Sequence, residues 1–211
     1  EAEFPPVNWP WTRWLEHRRH AHGPHAALFA PHRGTDWVAI DLETTGLDPS
    51  RDEILAIAAV PGEGSVLKLR ERLDVIVKSD SPRILEAIRH HRLRPDDVAA
   101  GVPLDEALSA LLALIGNRPL VGYCVDFDCA MLDGALKPRL GFGLPNRRID
   151  VQRDYARLLR RRNPDGQPDL RFEAIARAFD LPTPGRHTAL GDAVVAGLMH
   201  ICLQREAGGL R

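Results

Sequence analysis

A mixed α/β sheet flanked by helices is the fold class this sequence predicts, on two patterns. Three apolar segments suited to extended chain follow one another across residues 37–77, joined by short turns, as an antiparallel meander requires. From Leu104 onward, helix-period segments alternate with short apolar runs, the arrangement of helices packed on a sheet. Composition accommodates this: 44% of the 211 residues are hydrophobic and 27% charged, enough for one sizeable globular domain plus an extension.

Residues 1–35 read as an N-terminal arm rich in Trp and His. Trp9, Trp11 and Trp14 supply anchors for a hydrophobic surface, and His17, His20, His22 and His25 follow. His17 and His20 are one helical turn apart, but no Cys or carboxylate pattern accompanies them, which favours a polar arm over a metal site. Pro24, Pro31 and Gly34 punctuate a linker into the main domain, residues 36–211. There, 37–42 is a buried strand, 44–49 a turn, 54–60 a second strand, 61–64 a hairpin turn and 65–77 a third strand. Helices are expected at 82–91 and 104–115, the latter with Leu104, Leu108, Leu111 and Ile115 at helical spacing. Short strands follow at 120–123 and 149–151, with helices at 127–136, 154–162, 170–179 and 188–204.

The net charge of −1 and a pI near 6.8 exclude a polycation of the histone kind. Among 28 basic residues only Lys68, Lys78 and Lys137 are lysine; that bias, with abundant Ala and Pro, implies a GC-rich bacterial genome. Seven arginines lie within 147–162 against Asp150 and Asp154, with Arg153 and Arg157 on one helix face that Arg160 and Arg161 continue. A solvated face and a phosphate-binding stripe are both open for this segment. The longest apolar run, Ile54–Val60, is far short of the roughly 20 residues of a membrane span, so no membrane partner is expected. Three cysteines, an odd number, argue against a disulfide scaffold and for a reducing cytoplasm.

Chemistry concentrates in a few acidic residues. Asp41 and Glu43 end the first strand, where positions i and i+2 share a face. Two such carboxylates repel one another unless a proton or cation intervenes, and hard ions such as Mg²⁺ or Mn²⁺ prefer oxygen ligands of this sort. Asp128 lies at the start of a helix directly after the 120–123 strand; taken alone it reads as a dipole-stabilising carboxylate. Asp192 starts the last helix, and His187, five residues earlier, reaches the same cleft if it lies on the incoming loop.

Asp41-x-Glu43-Thr44-Thr45-Gly46, then Val121-Gly-Tyr-Cys-Val-Asp-Phe127-Asp128, then His187-x4-Asp192 resemble the three motifs of the DEDDh 3′–5′ exonucleases. That group includes the epsilon subunit of bacterial DNA polymerase III, ribonuclease T and oligoribonuclease. The resemblance spans about residues 36–204 in the right order, and His-x4-Asp separates it from the sister group with Tyr-x3-Asp. It implies a ribonuclease H-like fold and two Mg²⁺ or Mn²⁺ ions that hydrolyse the terminal phosphodiester. Asp41, Glu43 and Asp192 would hold one ion, Asp41 would bridge to the second, and Asp128 would support that second ion. His187 would take the proton of the attacking water. Thr44 and Leu47 match positions set against the 3′-hydroxyl and the terminal base, and Gly46 lies in the same substrate-binding turn. One departure stands out: Tyr123-Cys124 replaces the His-Asn of many relatives, and Cys124 reads as a small buried residue rather than a nucleophile.

The resemblance implies release of 5′-mononucleotides from 3′ ends of single-stranded DNA, alone or with a polymerase or repair complex. RNA trimming by the same chemistry is the first alternative, and a non-catalytic nucleic-acid-binding module the second.

Overall fold

A computed structural model of the chain describes residues 19–20, 22–84 and 92–209. The tryptophan segment, His17 and most of the helix expected at 82–91 lie outside the described residues. After a single helical turn, α1 (Ala26–Phe29), come β1 (Asp36–Thr44), β2 (Ile54–Glu63), β3 (Val66–Leu67), a 3₁₀ turn (Leu69–Glu71) and β4 (Leu73–Ile76). Helices α2 (Pro95–Ala99) and α3 (Leu104–Ile115) lead to β5 (Leu120–Gly122), α4 (Val125–Leu140) and β6 (Arg148–Asp150). The chain closes with α5 (Val151–Arg162), α6 (Phe172–Ala178) and α7 (Ala189–Gly209). The six strands form one mixed sheet in the order β3-β2-β1-β5-β6, with β4 also on β2. β1, β2, β3 and β4 pair antiparallel; β5 and β6 join β1 in parallel, as the fold class requires.

Strand β1 is buried on both faces, so its sequence runs apolar without strict alternation. Val38, Ile40 and Leu42 face α3, α4 and Phe29, in a cluster with Leu111, Ile115, Leu132 and Leu136. Trp37 and Ala39 face the other layer, packed with Tyr155, Ile175, Ala196 and Met199 of α5, α6 and α7. Leu28 and Phe29, in the stretch expected to be a linker, are buried in the first of these clusters. His20, one of the two histidines weighed as metal ligands, stacks on Phe29 with ring centroids 5.0 Å apart.

The expected third strand at 65–77 is broken into β3, the 3₁₀ turn and β4, and Pro61 is the reason. Pro61 belongs to β2 rather than to a hairpin turn, and its carbonyl accepts from Lys68 N–H at 2.8 Å on the outer edge. A strand residue's N–H and C=O point the same way, so proline leaves that edge without a donor and the ladder lapses there. On the inner edge nothing is lost: Val38, opposite Pro61, directs its N–H to Pro119 O instead. Two helices also begin earlier than the apolar spacing indicates. α5 starts at Val151 because the Asp150 carboxylate accepts from the N–H groups of Gln152 and Arg153, at 2.9 and 3.3 Å. α4 starts at Val125, directly after Cys124, whose φ of +54° turns the chain sharply out of β5.

Candidate active site

The site lies at the carboxyl end of β1. Asp41 and Glu43 continue the row of Trp37 and Ala39 and therefore face α7. Helix and strand run antiparallel in close contact: a Cβ on Gly197 would stand 3.3 Å from the Ala39 Cβ. Five residues up the helix, at about 1.5 Å each, nearly match two residues along the strand, at about 3.3 Å each. That match brings Asp192 level with Asp41. One carboxylate oxygen from each of Asp41, Glu43 and Asp192 lies within 4.8 Å of the others.

Asp128 sits beside this trio rather than within it. β1 outruns β5 beyond the pair Ala39↔Val121, so the Leu42 N–H has no strand partner and donates to Asp128 Oδ1 at 3.1 Å. Reading Asp128 as a dipole-stabilising carboxylate therefore undervalues it, because it is buried and ties α4 to the site-bearing strand. Burial raises Asp128 to about 8, against the pull of the Leu42 N–H. Asp41 is held well above the usual carboxylate range, first by desolvation and then by the charges of Asp128, Asp192 and Glu43. Burial also raises Asp192, with Arg186 opposing.

The motif histidine is not in the trio. His187 lies on the exposed loop before α7, with a left-handed φ of +65°. Arg186 beside it reaches inward: its Nη1 bonds Asp192 Oδ2, its Nε meets Glu173 Oε1 at 2.8 Å, and its guanidinium lies 4.1 Å over the Phe172 ring. In the sequence this arginine is signalled only by its position next to the motif histidine. Glu173 and Phe172 carry no such signal, since only the fold brings α6 to the loop.

The turn after β1 is built around Asp52. That carboxylate accepts from Thr45 Oγ1 (3.1 Å), the Asp48 N–H (2.9 Å) and Arg83 Nη1 (2.7 Å). Gly46 is required there because a Cβ would come 2.5 Å from Asp52 Oδ2. Thr44 Oγ1 donates to Gly46 O at 2.7 Å, and Leu47 projects from the turn 82% exposed. Tyr123 sits below the site, its hydroxyl donating to Leu170 O and accepting from Gln152 Nε2. Cys124 is half-buried, and burial raises its thiol, leaving it protonated at neutral pH and a poor nucleophile.

The profile of the RNase_T exonuclease family matches residues 38–198, more than half of the chain. The chain belongs to this family. It is a DEDDh-type 3′–5′ exonuclease, and the ribonuclease H-like fold expected from its motifs is present. It is 28% identical to the DNA polymerase III epsilon subunit of Aquifex aeolicus over 171 residues, 81% of each chain. It is 40% identical to the oligoribonuclease of Tropheryma whipplei over 92 residues, 40% of this chain and 50% of that one. Among solved structures it superposes with a TM-score of 0.69 on E. coli exonuclease I in complex with a dT13 oligonucleotide, at 20% identity. That alignment covers 83% of this chain and 42% of exonuclease I. The chain likewise spans only 12% of a PolC-type DNA polymerase III from Staphylococcus saprophyticus, at 25% identity.

The family is divalent-metal dependent, and the donor set fits such an ion. All donors are oxygens, as Mg²⁺ and Mn²⁺ prefer. Asp192 Oδ1 is buried and has no hydrogen-bond donor among the described residues. No described helix is long and apolar enough to cross a membrane.

Proposed function

We propose that this chain removes nucleotides from the 3′ ends of single-stranded DNA as 5′-mononucleotides, using two Mg²⁺ or Mn²⁺ ions. The observation that carries the reading is the convergence of Asp41, Glu43 and Asp192, with a donorless oxygen on Asp192. Asp41, Glu43 and Asp192 would hold one ion, with Asp41 shared and Asp128 in support of the second. Bound there, the ions supply the Lewis acidity that attack of water on a phosphodiester needs. His187, on its solvent-facing loop, takes the proton of that water, acting through an imidazole nitrogen as general base. Exposed Leu47 packs against the terminal base, while Thr44 and the Gly46 backbone meet the 3′-terminal sugar. Residues 36–211 are proposed as the exonuclease domain and 1–35 as an N-terminal arm whose Leu28 and Phe29 pack into it, with a polymerase or repair complex in a bacterial cytoplasm as the proposed partner.

DNA is favoured by the epsilon-subunit relative and by the exonuclease I structures with dT13 and dA16 oligonucleotides. The oligoribonuclease relative supports RNA as the second reading. The test is digestion of 3′-labelled and 5′-labelled single-stranded DNA and RNA in Mg²⁺, Mn²⁺ and EDTA. Metal-dependent release of labelled mononucleotide from 3′-labelled DNA, with stepwise shortening of 5′-labelled DNA, is expected. Faster digestion of RNA moves the substrate to the second reading, and no digestion of either in Mg²⁺ or Mn²⁺ overturns the proposed reaction.

A further inference from the structure

We propose that Arg186 is a positioning residue of the metal site: it holds Asp192 by Oδ2 so that Oδ1 stays turned to a divalent cation. This rests on the proposed metal-dependent reading. A carboxylate at the start of a helix can rotate about its own side-chain bonds, and Asp192 has neighbours of like charge to turn away from. In the structure one of its oxygens, Oδ2, is taken by Arg186 Nη1, while Oδ1 is buried without a donor. An arginine that merely filled the place of a cation would depend on the acidic trio for its position. This one has two supports outside it.

The first support is Glu173 on α6, which receives Nε at 2.8 Å and lies 2.8 Å from Nη2 as well. The second is the Phe172 ring, 4.1 Å beneath the guanidinium carbon. The planar fork of arginine grips Glu173 with one edge and Asp192 with the other, which the single ammonium of lysine cannot reproduce. Phe172 is itself fixed: Tyr123 packs edge-on against it at 5.3 Å, and the Tyr123 hydroxyl anchors Leu170, two residues before Phe172. Tyr123 is the position at which many relatives have histidine. The departure from the family pattern thus lies under the platform that aims Arg186.

The sign of the effect separates positioning from competition. By charge alone, removing a guanidinium from beside Asp192 strengthens divalent-cation binding. Loss of orientation weakens it, and partners that orient metal ligands commonly contribute 10- to 100-fold in affinity. The experiment is Mn²⁺ titration of the metal-free chain at one pH and salt, read by the electron spin resonance of free Mn²⁺. Wild type, Arg186→Gln, Arg186→Lys, Glu173→Gln and Asp41→Asn are compared, with thermal melting as the check on folding. The expectation is Mn²⁺ affinity 10- to 100-fold lower in Arg186→Gln, only partly restored by Arg186→Lys. Glu173→Gln, which touches no proposed metal ligand, is expected to weaken binding in the same direction by a smaller factor. Should Arg186→Gln fail to fold, Glu173→Gln decides. Unchanged or tighter binding in the folded variants overturns the positioning role. Wild type that binds no Mn²⁺, or binds it as well after Asp41→Asn, overturns the metal-dependent reading and this role with it.

Discussion

Asp41, Asp128 and Asp192 each hold a carboxylate that burial and like charge disfavour, which is the condition of a site prepared for cations. Replacing Asp41 by Asn is therefore expected to reduce Mg²⁺-dependent hydrolysis to background while the metal-free chain melts no lower than wild type. A clear loss of thermal stability together with retained hydrolysis refutes that assignment. His187→Ala is expected to retain Mn²⁺ binding and lose about 10²- to 10⁴-fold in turnover. Turnover equal to wild type at neutral pH takes the proton-transfer role from His187. His200 gives a pH dependence away from the site. Packed 4.9 Å from the Trp37 ring and bonded to Gln204, it is lowered to about 4, chiefly by burial. The unfolded chain therefore takes up a proton near pH 6.5 that the folded chain refuses until about 4. Stability from this group is complete above about 6.5 and is lost as pH falls toward 4, by up to about 3 kcal/mol. Asp128, raised to about 8, acts with the opposite sign, so the comparison needed is between wild type and His200→Leu at each pH. Denaturant melts at pH 7 and pH 4.5 should show wild type losing more stability than the variant; equal losses refute the assignment.

The elements depend on close approaches that single residues permit. Gly191, in the first turn of α7, faces the loop that carries Arg186 and His187: a Cβ there would lie 2.2 Å from Gly185 O. The groups it would meet, the carbonyls of Gly185 and Pro184, are backbone, and Gly185 already sits at φ +69°, so the junction must open to admit an alanine. Gly191→Ala is expected to cost about 1–3 kcal/mol, in the range of overpacked cores. Its activity should fall much further than its folded fraction, because Arg186 and His187 move relative to Asp192. Full activity at a temperature where the variant remains folded contradicts this picture of the loop–helix junction.

Across the whole molecule, the arginines of 147–162 are more fully compensated than their local sequence indicates. Arg153 meets Asp126 at 2.6 Å and Asp150 at 3.8 Å, Arg157 meets Asp154 at 2.7 Å, and Arg162 pairs with Glu206. Arg148 lies between Asp126 and Asp133, at 3.4 and 3.3 Å. Four of the seven arginines thus face five carboxylates, three of them from α4 and α7, which reduces the positive field of the segment, while Arg160 and Arg161 of the stripe stand exposed. Changing Arg153, Arg157 and Arg162 together to Gln is expected to leave the salt dependence of oligonucleotide binding unaltered. Each lost phosphate contact would flatten the slope of log affinity against log salt by about 0.7 for a single strand. A flattening of that size or more brings the stripe back to the substrate.

What the sequence alone determined is whatever short-range sterics encode. The alternation of a strand put Asp41 and Glu43 on one face, and helical spacing located α3 and α7. The order of apolar segments predicted the mixed sheet, and three spaced motifs predicted the family that the comparisons bear out. The break after Pro61 was legible in principle, because proline's missing donor is a local fact, but which sheet edge it disarmed depended on register. Only the tertiary structure decided the rest. Packing α7 along β1 brings Asp192 to Asp41 and Glu43; the shortness of β5 frees the Leu42 N–H for Asp128; and α6 supplies Phe172 and Glu173 to Arg186. These meetings join residues far apart in the chain. They follow from which surfaces close-pack against one another, and no local periodicity records that choice.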